Sequence, residues 1–204
     1  ASCLVGSEMC IRDSNKANPL KPWKTMGRMH DKYLIADGKI YILGGRNTYN
    51  YFLGDFPGHK NFDRDVLVVC DEPQKDNSVN QLWNYFETIW EQEDCRYFHN
   101  SKKLADRQSV KKAVLELQEG YQQYFEVNKE KICDTDYADE TFETEKITLL
   151  SNPIHTQAKE PVVWYQLGEL MKNAKERVKI HTPYIICNDM MYNTWEEIAQ
   201  KVPD

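Results

Sequence analysis

The sequence predicts a layered α/β fold, because short apolar runs typical of strands alternate with longer stretches of helical periodicity. A length of 204 residues, with 41% hydrophobic and 28% charged side chains, suits a globular chain with a hydrophobic core. The net charge of −6 argues mildly against a nucleic-acid partner, which usually binds a basic surface. No apolar run in the sequence is long enough to span a membrane.

Residues 1–14, ASCLVGSEMCIRDS, are set aside from the fold prediction. They lack the basic start and long apolar core of a secretory signal. They resemble a translated sequencing adapter, so we expect them to be non-native and the rest to be part of a longer protein. Four scattered cysteines remain outside this segment, without metal-ligand spacing, which favours a reducing compartment over a disulfide framework: Cys70, Cys95, Cys133 and Cys187.

A β-hairpin is predicted early in the chain. Two β-prone runs, residues 29–36 and 39–43, flank Asp37-Gly38, a dipeptide suited to a type I′ turn. Further along, residues 65–70 (DVLVVC) contain a continuous apolar run after the aspartate, a pattern typical of a strand covered on both faces.

Helices and loops separate these strands from the second half of the chain. Residues 15–28 contain two prolines and predict an extended approach, and residues 46–64 predict a loop. Apolar residues at helical spacing predict amphipathic helices at 80–91 and 109–129, the second packing on a neighbour. Residues 134–145 are acidic and poor in large aliphatic side chains, which predicts a solvated linker.

A strand–helix–strand unit is predicted after the linker. The strands are residues 146–150 and 177–186, and the helix between them is 161–174, with a proline near its first turn. Another helix is predicted at 189–201.

The stretch from His30 to Asn47, HDKYLIADGKIYILGGRN, combines residues suited to phosphate chemistry. Because side chains alternate along a strand, His30 and Lys32 are expected on one face, roughly 6–7 Å apart, where they can hold one phosphate. Gly44 and Gly45 allow backbone N–H groups to approach an anion. Asn47 supplies a neutral side-chain donor.

This stretch resembles the signature HxKxxxxDxxxxxxG(G/S)xN of the phospholipase D superfamily. The matching positions are His30, Lys32, Asp37, Gly44, Gly45 and Asn47. Background composition makes chance agreement improbable, on the order of 10⁻⁸ per starting position, so the match favours the family over an ordinary hairpin. The GGRN ending most resembles the bacterial cardiolipin synthase branch.

The resemblance extends to NFDRDVLVV, NQLWNYFETIW and RVKIHTPYII, and it implies a domain organisation. Residues 15–95 would be the C-terminal part of a first phospholipase D repeat, 96–145 a helical segment with an acidic linker, and 146–204 the truncated start of a second repeat. The implied fold is the phospholipase D-like layered sandwich, a mixed sheet flanked by helices, incomplete in this chain.

The resemblance also implies a mechanism without a metal or cofactor. One histidine attacks phosphorus to form a phosphohistidine, and a second protonates the leaving alcohol. His30 would be the nucleophile or its acid/base partner, Lys32 and Asn47 would hold phosphate oxygens, and Asp65 would orient an active-site histidine. A catalytic role for Asp37 is less favoured than a structural one, because it lies at the predicted turn.

Gly44 and Gly45 would complete the phosphate site through their backbone.

The sequence contains only one such signature, so we expect a fragment of a two-repeat enzyme that is inactive alone. One alternative is a single-signature nuclease-like phosphodiesterase active as a homodimer, and another is a non-catalytic lipid- or protein-binding relative. The expected substrate is a phospholipid rather than nucleic acid, and the expected location is the bacterial cytoplasmic membrane; the headgroup, and hydrolysis against transfer, stay open.

Overall fold

The computed structural model describes residues 12–13, 20, 29–47, 52, 58, 62–70, 76–93, 95–97, 102–137, 139–153, 161–182 and 184–202. The fold is mixed α/β, with helices and a small antiparallel sheet. The described strands β1–β5 are Arg12–Asp13, Lys32–Ala36, Ile40–Gly44, Val66–Val69 and Arg96–Tyr97. The described helices α1–α5 are Ser78–Trp90, Lys102–Ala105, Gln108–Cys133, Val162–Lys172 and Asp189–Lys201.

The chain divides into two compact units, Ala1–Ile147 and Thr148–Asp204. In the first, β2, β3 and β4 form a three-stranded antiparallel sheet in that order, and β1 pairs separately with β5. The extended approach predicted at 15–28, apart from Leu20, and much of the predicted loop at 46–64 lie outside the described residues.

The predicted hairpin is confirmed, with a turn one residue longer than expected. Asp37 and Gly38 have positive φ angles of 53° and 65°, as a type I′ turn requires. The Lys39 N–H donates to the Ala36 carbonyl at 3.0 Å, so Lys39 closes the turn and Ile40 lies opposite Ala36.

The strand predicted at 65–70 is confirmed at 66–69, but it is covered on both faces only in part, so the prediction of full cover was wrong. Val68 lies opposite Tyr41 on β3, and both side chains are buried. Val66, two residues earlier on the same face, is 59% exposed, and Leu67 and Val69 on the opposite face are partly buried. The cover therefore differs along the strand and not simply between its two faces.

Two predicted helices are confirmed with earlier starts. Helix α1 begins at Ser78 because the Asn77 side chain accepts a hydrogen bond from the Asn80 N–H at 2.8 Å and caps the helix. Its first turns bury Val79 and Leu82. Helix α3 begins at Gln108 and buries none of its residues in the described part of the chain, so the neighbour expected along its apolar stripe is not found there.

In the second unit, α4 and α5 pack on each other. The rings of Trp164 and Trp195 meet edge to face at 5.4 Å, and Gly168 allows the two helices to approach closely at Thr194. The α5 bounds agree with the prediction for 189–201.

The two strands predicted around α4 were wrong. Residues 146–150 and the described part of 177–186 join no strand ladder with any other described segment. A strand requires a hydrogen-bonded neighbour, and an apolar run cannot supply one from its own sequence.

Candidate functional site

The hairpin brings the two ends of the signature together at one end of the sheet. Lys32, the first residue of β2, lies directly opposite Gly44, the last residue of β3. Leu43 lies opposite Val66, which places Asp65, one residue before β4, beside Gly44. The site is therefore a row of three strand ends, with His30 two residues before the first of them.

The side chains of His30 and Lys32 are in direct contact, closer than the roughly 6–7 Å expected from their spacing along a strand. The Lys32 ammonium donates to His30 Nδ1 at 2.9 Å and to the His30 carbonyl at 2.5 Å. His30 precedes the β2–β3 ladder, so its carbonyl can accept this bond. An ammonium has only donors, so Nδ1 must accept, and a neutral His30 ring then carries its proton on Nε2.

Asp65 is held by an arginine that the sequence prediction missed. Arg46 Nε donates to Asp65 Oδ2 at 2.5 Å, and its two terminal nitrogens donate to the carbonyls of Phe52 at 3.0 Å and Asp63 at 2.6 Å. No hydrogen bond joins Asp65 to His30 among the described contacts. The only sequence signal for Arg46 was its place in GGRN beside a downstream aspartate, and the role of Asp65 in orienting a histidine stays a prediction.

Gly44 and Gly45 leave room for two carboxylate side chains. A Cβ on Gly44 would overlap Asp65 Oδ1, and a Cβ on Gly45 would lie 2.9 Å from Asp63 Oδ1. Asp63 Oδ2 is buried and accepts no hydrogen bond from the residues that the structure describes. Carboxylates therefore lie beside both glycines, and the nearby cations are Lys32, opposite Gly44, and Arg46, which pairs with Asp65.

The two other predicted side chains, Asn47 and Asp37, are not part of the row of three strand ends. Asn47 follows Arg46 and is exposed. Asp37 lies in the turn at the other end of the hairpin from Lys32, and its positive φ of 53° gives it a local structural role. The structure thus brings Lys32, Gly44 and Asp65 together and separates Asp37 from them.

A second contact lies on the opposite side of the chain from the His30–Lys32 pair. The hydroxyl of Tyr85 on α1 donates to Asp31 Oδ2 at 2.6 Å, and the rings of Tyr85 and Tyr33 meet edge to face at 6.2 Å. Burial, with the negative charge of Asp31 as a smaller cause, raises the pKa of Tyr33 to about 12. Burial and the hydrogen bond to Asp31 raise the pKa of Tyr85 further, so both hydroxyls stay protonated at neutral pH.

Among the residues that the structure describes, no cluster of three histidine, cysteine or acidic side chains could hold a metal ion. Cys70, Cys95, Cys133 and Cys187 form no disulfide with one another. No helix in the described ranges is both long and apolar enough to cross a membrane.

Comparison with protein-family models found no match, and neither the curated proteins nor the solved structures yielded a significant one. The resemblance to the phospholipase D superfamily therefore depends on the sequence features described above and stays a prediction.

Proposed function

We propose that this chain contributes a histidine–lysine half-site of the phospholipase D type to an enzyme that cleaves or transfers phosphodiester groups of phospholipids. The observation that supports it most directly is the contact between the His30 ring and the Lys32 ammonium at 2.9 Å, on a strand end opposite Gly44. A ring nitrogen that can act as nucleophile, beside a cation, suits phosphoryl transfer through a covalent intermediate.

In the proposed reaction, the phosphate draws Lys32 away from Nδ1, and Nδ1 takes up a proton while Nε2 loses its proton to solvent. The Nε2 lone pair then forms a bond to phosphorus while the bond from phosphorus to the leaving oxygen breaks. A second histidine protonates that oxygen as it leaves as an alcohol. Water or an acceptor alcohol, deprotonated by the second histidine, then attacks the phosphohistidine and releases the His30 ring. Lys32 and Asn47 stabilise the charge on the non-bridging oxygens, and the reaction uses no metal or cofactor.

The second histidine must come from a second copy of the signature. None of the other four histidines of the sequence is followed by lysine and aspartate at the required spacing. We assign the missing half to another part of a larger parent protein, with the layered phospholipase D-like sandwich as its fold. The substrate places that protein at a membrane surface, and the net charge of −6 favours a phospholipid over nucleic acid.

The test is an assay of the parent protein on phosphatidylglycerol vesicles. His30→Gln should lower turnover by about 10³-fold or more and abolish a covalent radiolabelled phosphoenzyme in quenched reactions. Lys39→Met, which removes an exposed lysine at the far end of the hairpin, is the matched control and should retain turnover. Near-normal turnover of the His30→Gln enzyme would refute the proposal.

The 204-residue chain provides a second test. By itself it should not convert phosphatidylglycerol. Activity that rises with the square of its concentration would instead support a homodimer that pairs two identical half-sites.

A further inference from the structure

We propose that Tyr85 is a positioning residue for His30, acting through Asp31. The inference deepens the proposed function, because it gives the His30 side chain a fixed support on helix α1. It depends on that function only in taking His30 as the reactive group.

His30, the residue to be positioned, is not held by the pairing between β2 and β3. The β2–β3 ladder begins at Lys32, so His30 and Asp31 lie before its first pair. Tyr85, 54 residues away in sequence, donates its hydroxyl hydrogen to Asp31 Oδ2 at 2.6 Å. Among the side-chain hydrogen bonds of the described residues, this bond ties the segment before β2 to another element.

The chain presents two different sides at this point. His30 and Lys32 contact each other on one side, and Asp31 and Tyr33 both meet Tyr85 on the other. A hydrogen bond at Asp31 therefore restrains the backbone between His30 and Lys32 without occupying the side on which a phosphate would bind.

Helix α1 is a firm anchor for this bond. The helix is capped by Asn77, and Val79 and Leu82 are buried in its first turns. The Tyr85 hydroxyl also remains a donor at neutral pH, because burial and the bond to Asp31 raise its pKa. A short bond from a hydroxyl to a carboxylate is among the stronger hydrogen bonds of proteins.

The test is ¹⁵N NMR of the His30 ring together with its backbone amide, with the His30 signals assigned by their loss in His30→Gln. Tyr85→Phe removes only the hydroxyl and should shift and broaden the His30 signals. Asp31→Ala should do the same, and the double variant should add nothing further. Tyr124→Phe, at an exposed position of α3, is the control and should leave the His30 signals unchanged.

His30 signals in Tyr85→Phe and Asp31→Ala that match those of Tyr124→Phe would overturn the proposal. Asp31 is exposed, so its variant keeps the test valid even if Tyr85→Phe unfolds. In the active parent protein, Tyr85→Phe should lower kcat by about tenfold with KM little changed. The NMR experiment does not depend on turnover, so it tests the positioning role by itself. A failure of the proposed function would be seen in a different experiment, as activity retained by His30→Gln.

Discussion

The Lys32 ammonium lies 2.9 Å from Nδ1 of His30, and this contact determines which ring nitrogen carries the proton. With Nδ1 accepting from an ammonium, the neutral ring is protonated at Nε2. In the proposed reaction, attack on phosphorus by Nε2 then requires the ring to change tautomer. A phosphate that draws Lys32 onto its own oxygens frees Nδ1 to take up a proton, so substrate binding itself would prepare the nucleophile.

The tautomer can be tested directly. ¹⁵N NMR should find the neutral His30 ring protonated at Nε2 in the wild-type chain. Lys32→Met removes the donor, so part of the population should move to the Nδ1-protonated form, whereas Lys39→Met should change nothing. A wild-type ring protonated at Nδ1 would contradict the Lys32 contact.

The sequence predicted the parts of this site that depend on local spacing. His30 and Lys32 share one side because they are two residues apart in an extended segment. The Asp37-Gly38 turn sets the register that places Lys32 opposite Gly44. Both relationships follow from residues close together in the chain, which is why a pattern can predict them.

The missed parts depend on distant partners. Arg46 binds two backbone carbonyls, and a carbonyl carries no residue-type signal in the sequence. The Tyr85–Asp31 bond joins residues 54 positions apart. The strands predicted at 146–150 and 177–186 were wrong for the same reason, since an apolar run does not specify its neighbour.

Arg46 should stabilise the loop between β3 and β4 more than an ordinary surface cation does. It donates to Asp65 and to two carbonyls at once, and lysine cannot reproduce that fork. Arg46→Lys should lower the free energy of unfolding by about 1–2 kcal/mol, a range that allows for partial screening of a side chain one-third exposed.

The matched control is Lys111→Gln, which breaks the exposed pair with Asp106. It should cost less than about 0.5 kcal/mol in urea denaturation. Equal losses for the Arg46 and Lys111 variants would show that the three Arg46 contacts contribute no more than a surface ion pair.

Stability should fall at alkaline pH through Tyr33 and Tyr85. Their pKa values are raised in the folded chain above the ordinary value of 10.0, so the folded state binds these protons more tightly than the unfolded state. The resulting stability is fully present below pH 10 and is lost as pH rises towards the folded pKa of Tyr33, about 12.

Urea denaturation across this pH range measures the slope. Tyr33→Phe should reduce the alkaline loss, because phenylalanine has no proton to release. Trp83→Phe, on the same helix as Tyr85 but without an ionisable group, should keep the full slope. An unchanged slope in both Tyr33→Phe and Tyr85→Phe would show that neither hydroxyl is protected by folding.

Gly44 should be intolerant of even one methyl group, because a Cβ there would overlap Asp65 Oδ1. Its φ is not in the positive range, so the penalty is steric and not conformational. Gly44→Ala should cost about 1–3 kcal/mol in urea denaturation. Gly120→Ala, in the middle of α3 with no atom near the added carbon, should instead gain about 0.5–1 kcal/mol.

A double-mutant cycle tests whether glycine is required at position 44 only because of the close approach of the Asp65 carboxylate. In an Asp65→Ala background the overlapping carboxylate is gone, so Gly44→Ala should cost little, and the coupling should account for most of the single-variant loss. Because Gly44 lies opposite Lys32, the same substitution should also disturb the Lys32–His30 contact, visible in the His30 ring signals. An equal cost of Gly44→Ala with and without Asp65 would show that the added carbon is not excluded by the Asp65 carboxylate, and would contradict the close approach as the reason for glycine at this position.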